Sequence, residues 1–484
     1  MNPEPEGYIK GISRSQTLLL PENLDQYVAQ ENEARFIDAF VDSLNLEDLG
    51  FTHAQPNNEG RPPYNPSDML KLFIWGCLNQ IRSSRKLERE CHRNLEVIWL
   101  MKKLTPDFKT IADFRKDNVS CIKAIFKQFV KLCVSLELYD AELIAVDGSK
   151  FKAVNAIDRD FNQKTLEKRI KLIEESAARY LQELDAADLE EEENQAKHFW
   201  EDKVKAMLKK KVNYEALLAK MKATGQNEVA LTDPECRLMK NRGRIEPCYN
   251  VQAAVDTRNH LIVDYAVTNE AADNNQLSSL AIGAKETLGV QKIAAVADAG
   301  FSDSVEIKKC VDNGIVPYVA QQRHKGGRRG SVSAQFSIDK FTYVKEADVY
   351  VCPAGQRLAL WSHAVVQSKN MRIYRCKRGV CSSCVFFLAE CTKNKEGRIV
   401  WRWEYEEVMD EVRARLRLDP EVMGERKKVV EHPFGTMKRA FNMGYLLLKG
   451  LVKVTGEVGF AMLAYNMRRA LNILGVRALM LALV

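Results

Sequence analysis

The run Ile293-Ala-Ala-Val-Ala-Asp298-Ala-Gly300-Phe301 is an apolar stretch that ends in a carboxylate. Short apolar runs bounded by polar residues or glycine are typical of buried β-strands. The same pattern occurs earlier, in Leu143-Ile-Ala-Val-Asp147-Gly-Ser-Lys150, and a third acid opens the stretch Glu431-His-Pro-Phe-Gly-Thr-Met-Lys438-Arg439. Two strand-end aspartates and a late glutamate, with basic residues nearby, predict a metal site that acts on phosphate.

Phosphodiester cleavage explains why three such acids would be needed. The reaction requires an activated water or hydroxyl and a stabilised leaving oxyanion, and two hard cations about 4 Å apart supply both. Mg²⁺ favours oxygen ligands and is held by a few carboxylates together with phosphate oxygens of the substrate. Because a sheet brings distant strands together, acids far apart in sequence suffice. A single strand-end aspartate, however, is more often a turn former or a helix cap.

The composition sets the broad class of the protein. A chain of 484 residues exceeds the usual size of one core, so two to four domains are expected. With 46% hydrophobic and 28% charged residues the chain is predicted to be globular. A net charge of +7 is a modest basic bias, compatible with nucleic acid. The sequence shows no signal peptide and no apolar run of membrane-spanning length, which favours a cytoplasmic protein with no membrane partner.

Residues 1–140 are predicted to form a helical N-terminal, DNA-binding domain. Asn65-Pro66-Ser67-Asp68 is a helix start signal, and Asn94 is expected to cap another helix. Thr105-Pro106-Asp107 breaks the chain, and Thr110 is expected to cap the helix that follows. Short helices joined by tight turns allow a helix-turn-helix, in which basic residues such as Lys109, Arg115 and Lys116 face DNA. The pattern alone somewhat favours a plain helical bundle with a solvated basic face.

The remaining chain is predicted to be an interrupted α/β core. Its parts are residues 141–157 and 229–322, with a strand hairpin in the second part, and a C-terminal part at 406–484. Residues 158–228 interrupt it with a heptad seam that predicts an antiparallel helical hairpin. We interpret this hairpin as a solvated spacer, with dimerisation through the seam as the alternative. Residues 323–405 form a cysteine-rich insertion.

Several motifs resemble those of the DDE transposases of bacterial insertion sequences, in the group with an InsH-type N-terminal domain. The resemblance runs over nearly the whole chain. It rests on Tyr64-Asn-Pro-Ser-Asp68, Ser83-Ser-Arg-Lys-Leu-Glu88, Asp113-Phe-Arg115, Ala145-Val-Asp-Gly-Ser149, Tyr249-Asn-Val-Gln252, Ala254-Val-Asp256, Ala297-Asp-Ala-Gly-Phe301, Val430-Glu-His-Pro-Phe-Gly435 and Tyr465-Asn466.

The resemblance implies an RNase H-like catalytic core. By position, Asp147, Asp298 and Glu431 resemble the family's three acids, which hold Mg²⁺ or Mn²⁺. It also implies that the protein binds double-stranded DNA at the inverted repeats of its element. Water would attack the phosphodiester at each element end, and the freed 3′ hydroxyl would attack target DNA. Because two ends are cut together, a homodimer is expected.

The basic residues near Glu431 depart from the family pattern in one respect. Relatives often carry a tyrosine and an arginine upstream of the glutamate, where this chain has Gly424 and Lys427. The role of the arginine would pass to Arg426 or to Lys427. Lys438 stands where the family places a basic residue after its glutamate, which favours a phosphate contact.

Other basic and acidic residues are candidates beside these. For Arg439, DNA contact and a solvated face are equally favoured. Arg85 joins Lys109 and Arg115 as an expected DNA-binding residue of the N-terminal domain. Asp256, Asp264 and Asp273 are rival acids, and the expectation for Asp256 is a structural role in a hairpin.

Five cysteines cluster at Cys352, Cys376, Cys381, Cys384 and Cys391. Clustering with a C-x-x-C element in an intracellular chain favours structural Zn²⁺ over disulfides. The alternative is a set of cysteines left from an ancestral site that no longer binds metal. Five candidates compete for four places, and Cys352, Cys381, Cys384 and Cys391 are preferred because relatives tend to show that quartet. The zinc would organise the insertion without taking part in catalysis.

Two other functions remain open beside an active transposase. One is a catalytically retired relative that only binds DNA, and the other is an RNase H-like nuclease that cleaves without strand transfer. Three retained acids argue against the first without proving turnover.

Overall fold

The computed structural model describes residues 23–55, 62–157, 160–187, 194–225, 228–320 and 333–483. The chain divides into two compact units. The first comprises residues 1–132, 440–442 and 455–484, and the second comprises residues 133–439 and 443–454. In the described part, no helix is both long enough and apolar enough to cross a bilayer.

The first unit is helical. Its helices are α1 (Glu33–Asp42), α2 (Pro66–Leu78), α3 (Ser84–Arg93), α4 (Leu95–Leu100), α5 (Phe108–Asn118), α6 (Ile122–Ser135) and α14 (Leu451–Leu481). The last residues of α6 and the first residues of α14 belong to the second unit. The aromatic rings of Phe73, Phe114 and Phe460 stack through the core of the first unit, with Phe73 in contact with both others. Burying such apolar surface is the main force that holds short helices together.

The helix starts in this unit follow the capping residues. Asn65 accepts a hydrogen bond from the backbone N–H of Ser67, and Asn94 accepts from those of Glu96 and Val97, so both predicted caps are confirmed. The expectation for Thr110 is wrong, because Asp107 caps α5 by accepting from the N–H groups of Lys109 and Thr110. An aspartate directly before the first helical residue reaches these free donors, whereas Thr110 already lies inside the helix.

The second unit contains strands and helices. Its strands are β1 (Leu143–Lys152), β2 (Asp160–Asn162), β3 (Glu228–Ala230), β4 (Arg237–Asn241), β5 (Arg244–Asp256), β6 (Ile262–Thr268), β7 (Ile293–Ala297), β8 (Ile315–Val319), β9 (Thr342–Val344), β10 (Val349–Val351), β11 (Arg357–Val366), β12 (Lys369–Cys376) and β13 (Ile399–Trp403). Its helices are α7 (Gln163–Ala187), α8 (Asn194–Thr224), α9 (Leu277–Leu288), α10 (Ser304–Asp312), α11 (Arg378–Ser382), α12 (Glu406–Leu418) and α13 (Val422–Arg439). The unit is therefore of the mixed α/β type that the sequence predicts.

The main sheet has the order β4-β5-β1-β7-β8, and β6 also pairs with β5. β5 and β6 form the predicted hairpin, and β1 runs antiparallel to β5. On its other side, β1 pairs in parallel with β7, and β7 pairs in parallel with β8. The helices α9 and α10 connect these strands, as crossovers between parallel strands require. Asp298 directly follows β7, as the sequence predicts, but the prediction that Asp147 ends its strand is wrong, because β1 continues to Lys152 in antiparallel pairing with β5.

Two further substructures are built onto this sheet. The helices α7 and α8 pair as an antiparallel hairpin, with Lys211 bound to Glu174 and Lys222 to Glu167. Leu166, Ile170 and Ala177 of the predicted seam are buried. The segment from Thr342 to Trp403 forms a second sheet, of order β13-β12-β11-β10-β9, with antiparallel pairing throughout.

Candidate active site

Asp147 and Asp298 lie side by side at one edge of the main sheet. Val146 of β1 is opposite Ala297 of β7 in a parallel pair, so the residue after each falls at the same edge. Asp298 caps a short 3-10 helix and accepts a hydrogen bond of 2.7 Å from the N–H of Gly300. Asp147 accepts one of 2.8 Å from the N–H of Gly148. The sheet thus brings together two carboxylates that are 151 residues apart in the sequence numbering.

A guanidinium from α13 completes the surroundings of Asp147. Arg426 Nη1 lies 3.0 Å from Asp147 Oδ2, and the two side chains are 14% and 26% exposed. The contact is an ion pair rather than a directed hydrogen bond, since Nη1 and Nε of Arg426 have no hydrogen-bond partner in the described part of the chain. Burial raises the pKa of Asp147, Arg426 and the Gly148 N–H oppose this rise, and the neighbouring Asp298 adds to it.

Helical periodicity decides which of the two basic candidates takes this place. Arg426 shares the buried face of α13 with Val429, Val430, Pro433 and Met437. Lys427 is 73% exposed and lies 3.9 Å from Glu431, which is itself 65% exposed. The described side chains therefore place Glu431 at the solvent side of α13, while Arg426 reaches Asp147.

A third acid, Asp273, lies close to Asp298. An atom added as a Cβ on Gly300 would stand 2.9 Å from Asp298 Oδ1 and 3.5 Å from Asp273 Oδ2. Asp273 Oδ1 accepts hydrogen bonds from Asn250, Gln252 and Lys150. The sequence offered Asp273 only as a rival acid. The signal that would have found it is the pair of polar residues Asn250 and Gln252, two apart in the buried and otherwise apolar part of β5 from Cys248 to Val255.

Asp256 is the rival acid for which the sequence predicts a structural role, and the structure shows that role. Its carboxylate accepts hydrogen bonds from the backbone N–H groups of Ala141, just before β1, and of Arg258, in the turn between β5 and β6. The interpretation of Asp256 as a hairpin residue is confirmed.

Position 148, directly after Asp147, has room only for a glycine, because the side chain of Gln252 lies against it. A Cβ at this position would lie 2.4 Å from Gln252 Nε2 and 2.8 Å from Gln252 Oε1, which is closer than real Cβ atoms approach. The Gln252 side chain is fully buried and donates to Asp273. The glycine thus leaves room for an amide that connects the surroundings of Asp147 to Asp273.

Lys438 is engaged inside the second unit. Its Nζ donates to Ser149 Oγ at 2.6 Å and to the Lys150 carbonyl at 2.8 Å, and it lies 4.6 Å from the centre of the Phe151 ring. Burial lowers the pKa of Lys438 to about 8. The ammonium therefore ties α13 to β1, whereas Arg439 beside it is exposed.

The basic candidates of the first unit fall into two groups. Arg85 and Lys109 are exposed, and the Arg85 guanidinium stacks 4.8 Å from the Phe108 ring, next to Lys109. Arg115 instead donates to the carbonyl of Arg82 and lies over Phe73, and burial lowers its pKa. Its guanidinium therefore packs inside the unit, while the starts of α3 and α5 present the other two charges to solvent.

The five clustered cysteines surround one small cavity of about 20 Å³. Burial raises the pKa of Cys376 to about 12, with the neighbouring Cys381 adding to it, and burial raises that of Cys391 to about 11. The N–H of Gln356 donates to Cys352 Sγ at 3.3 Å. Cys376, the residue outside the preferred quartet, thus lines the same cavity as the other four.

These clusters fall short of assembled metal sites. Across the described ranges, no group of three or more His, Cys, Asp or Glu side chains stands in metal-binding geometry. The carboxylates of Asp147 and Asp298 still suit a hard cation, because both are half-buried, negatively charged groups that offer oxygen ligands. The cysteine cavity is large enough for one water-sized particle or ion.

Comparison with known families gives two matches. Residues 22–117 match the family model described as Transposase domain (DUF772), and residues 351–471 match the one described as Transposase DDE domain. The second match includes the cysteines, Glu431 and Lys438, and leaves Asp147 and Asp298 outside it. No curated protein and no solved structure matches the chain.

Proposed function

Since the chain is a DDE transposase of the insertion-sequence type, we propose that Asp147, Asp298 and Glu431 are its catalytic acids. The observation that carries this proposal is the placement of Asp147 and Asp298 on neighbouring parallel strands. The sheet order, with β1 between an antiparallel β5 and a parallel β7, supports an RNase H-like core. Glu431 enters from the sequence resemblance, on a helix that packs against β1 and β7.

In this proposal the three acids would hold Mg²⁺ or Mn²⁺. Such a cation, when bound, activates water and stabilises the leaving oxyanion of a phosphodiester. Water then breaks the phosphodiester at the element end and leaves a 3′ hydroxyl and a 5′ phosphate. The 3′ hydroxyl in turn attacks a target phosphodiester, so that one P–O bond forms as another breaks. No covalent bond to the protein is required.

The chain's own residues prepare the site for this chemistry. Arg426 holds Asp147 in its ionised form, because a cation beside a half-buried carboxylate favours the charged state. The N–H groups of Gly148 and Gly300 fix one oxygen each of Asp147 and Asp298. Lys438 fastens α13, and with it the backbone that carries Glu431, to β1.

For DNA binding we propose the exposed basic residues. Arg85 and Lys109 present charge at the starts of α3 and α5, and Lys427 and Arg439 present charge on α13. The side chains of three other candidates, Arg115, Arg426 and Lys438, bind groups within their own units. They would therefore maintain the shape of the protein rather than contact DNA. Because phosphate contacts release counterions, binding to the element's inverted repeats should weaken steeply with salt.

We also propose that Cys352, Cys381, Cys384 and Cys391 hold a structural zinc ion. Four thiolates in tetrahedral arrangement satisfy Zn²⁺ and leave no open position for catalysis. The cavity that the cysteines share has room for a single ion. The cluster also contributes to the apolar core of the second sheet, through contacts with Tyr374 and Val400. Zinc there would stiffen the segment between Asp298 and Glu431.

The transposase proposal further includes a homodimer, because two element ends have to be cut together. A joining assay tests the whole scheme. An oligonucleotide that carries the inverted repeat flanking the coding region is incubated with the full-length protein, plasmid DNA and Mg²⁺. Covalent joining of the oligonucleotide to plasmid is the expected result. Cleavage without joining would instead indicate a nuclease, and a gel shift with neither reaction would indicate a DNA-binding protein.

A further inference from the structure

Asp273 is held in a fixed orientation by three donors. Its Oδ1 accepts from Asn250 Nδ2 at 2.6 Å, from Gln252 Nε2 at 2.6 Å and from Lys150 Nζ at 3.2 Å. A carboxylate oxygen offers about two lone pairs, so Oδ1 has no capacity left. The orientation of the group is therefore set, and Oδ2 is the oxygen that remains available.

The available oxygen lies near Asp298, on the same side of Gly300. Oδ2 of Asp273 and Oδ1 of Asp298 both lie within 3.5 Å of the position that a Cβ on Gly300 would occupy. In the described part of the chain the Asp298 carboxylate forms no ion pair, and the one hydrogen bond that it accepts comes from the Gly300 N–H. Lys150 lies 3.2 Å from Asp273 Oδ1 and balances charge on that side of the group, whereas a bound cation would reduce the repulsion between Asp273 Oδ2 and the Asp298 carboxylate.

A second observation comes from the two amides that anchor Asp273. Asn250 and Gln252 are 0% exposed, although they lie on a strand whose neighbours are apolar. Asn250 Oδ1 and Gln252 Oε1 have no hydrogen-bond partner among the described residues. Buried polar atoms of this kind lower stability, and apolar side chains would pack the same space without that cost. The two amides are thus accounted for by the carboxylate that they orient.

We propose that Asp273 is a ligand of the divalent cation held at Asp147 and Asp298, bound through Oδ2. The inference rests on the proposed function, because it assumes that these two aspartates bind the cation. Ligating carboxylates are characteristically fixed by hydrogen bonds to their other oxygen, as Oδ1 is here. Asp273 would give the site a third oxygen donor of the protein at the sheet edge, while Glu431 lies on the exposed side of α13.

The test is a titration of the full-length protein with Mn²⁺, followed by electron paramagnetic resonance of the free ion. The variants are Asp273→Asn, Asp147→Asn and Asp298→Asn, and the control is Asp419→Asn, an exposed acid at the end of α12. Asp273→Asn should weaken Mn²⁺ binding at least tenfold, and the control should bind as the wild type does. Wild-type affinity in Asp273→Asn, with weakened binding in the other two, overturns the inference and leaves the proposed function standing. Wild-type affinity in Asp147→Asn and Asp298→Asn overturns the proposed function itself.

The number of water molecules on bound Eu³⁺ separates a ligand from a residue that only shapes the site. Luminescence lifetimes in H₂O and D₂O give this number. Loss of the Asp273 carboxylate should add one water to the ion, because a solvent oxygen takes the vacated position. An unchanged number in Asp273→Asn would overturn the assignment as a ligand.

Gly300→Ala provides the same test without removing a carboxylate. The added methyl would stand 2.9 Å from Asp298 Oδ1 and 3.5 Å from Asp273 Oδ2, so it would crowd both oxygens that are proposed to bind the cation. It should reduce Mn²⁺ affinity at least tenfold. This variant keeps the test available if Asp273→Asn does not fold. Wild-type affinity in a folded Gly300→Ala protein would contradict the proposal.

Discussion

Gly148→Ala should destabilise the main sheet strongly, although it adds only one methyl group. The new Cβ would lie 2.4 Å from Gln252 Nε2, and Gln252 is fully buried, so the amide has to move. Moving it breaks a 2.6 Å hydrogen bond to the Asp273 carboxylate. Loss of a hydrogen bond to a charged group costs about 1.5–3 kcal/mol, and overpacking adds about 1–3 kcal/mol. The expected loss is about 2.5–6 kcal/mol.

Native-state hydrogen exchange by mass spectrometry measures this loss locally, which suits a chain with two compact units. Peptides from β1 and β5 should exchange faster by roughly 60-fold to 20,000-fold, at about 1.4 kcal/mol for each factor of ten. The matched control is Gly424→Ala, on the exposed first part of α13, where a Cβ meets nothing within 4 Å. This control should be neutral or stabilising by up to about 1 kcal/mol, because alanine favours helix.

A double-mutant cycle identifies the cause. On a Gln252→Ala background the clash is absent, so Gly148→Ala should cost less than about 1 kcal/mol there. An equal cost on both backgrounds would refute the argument that Gln252 requires a glycine at position 148.

Three further predictions concern charge and metal. Arg426→Gln should move the acid limb of the pH–activity profile to higher pH, because removal of this cation raises the pKa of Asp147, so that the carboxylate is protonated at a higher pH. The control is the exposed Lys428→Gln. If the acid limbs of the two variants coincide, the role of the ion pair is refuted. Lys438 has its pKa lowered from 10.5 to about 8, so between these pH values the unfolded chain binds a proton that the folded chain has lost, and stability from this group rises with pH. Urea unfolding should show the wild type gaining on Lys438→Met as pH is raised from 8 to 10, and a constant difference would contradict the lowered pKa. Zinc content measured by mass spectrometry should be one ion per chain and should vanish in Cys381→Ser and Cys384→Ser, whereas Cys376→Ser and the remote buried control Cys310→Ser should keep it; loss of zinc in Cys376→Ser would show that the quartet is chosen wrongly.

The strand-end aspartates were predictable from sequence because their signal is local. An apolar run that ends in Asp predicts a buried strand, and β7 ends with its run, whereas β1 continues past Asp147 to Lys152 because it also pairs with the long strand β5. Parallel pairing then brings the two ends together without further information.

Asp273 was harder to predict because its position depends on tertiary contacts. It lies in the polar connection between β6 and α9, where no periodic pattern applies. Its placement follows from Asn250 and Gln252, which only the pairing of β5 with β1 brings beside the site. Two polar residues on one face of a buried strand were the available clue.

The basic residues show a second limit of sequence analysis. Charge made Arg115, Lys438 and Lys109 candidates for DNA contact, but whether a long side chain turns inward depends on the ring or carbonyl that it meets. Phe73 and the Arg82 carbonyl hold Arg115, while Ser149 and the Lys150 carbonyl hold Lys438. For Arg426 and Lys427 the helical period of α13 did contain the answer, since only Arg426 falls on the apolar face.

The most direct test of the central claim is the cleavage of element-end DNA by Asp298→Asn in the presence of Mg²⁺. The substitution keeps the shape of the side chain and removes its charge, so end binding in a gel shift should match that of Asp419→Asn. The proposed site predicts that cutting by Asp298→Asn falls below detection. Cutting at the wild-type rate would show that this carboxylate lies outside the reaction centre.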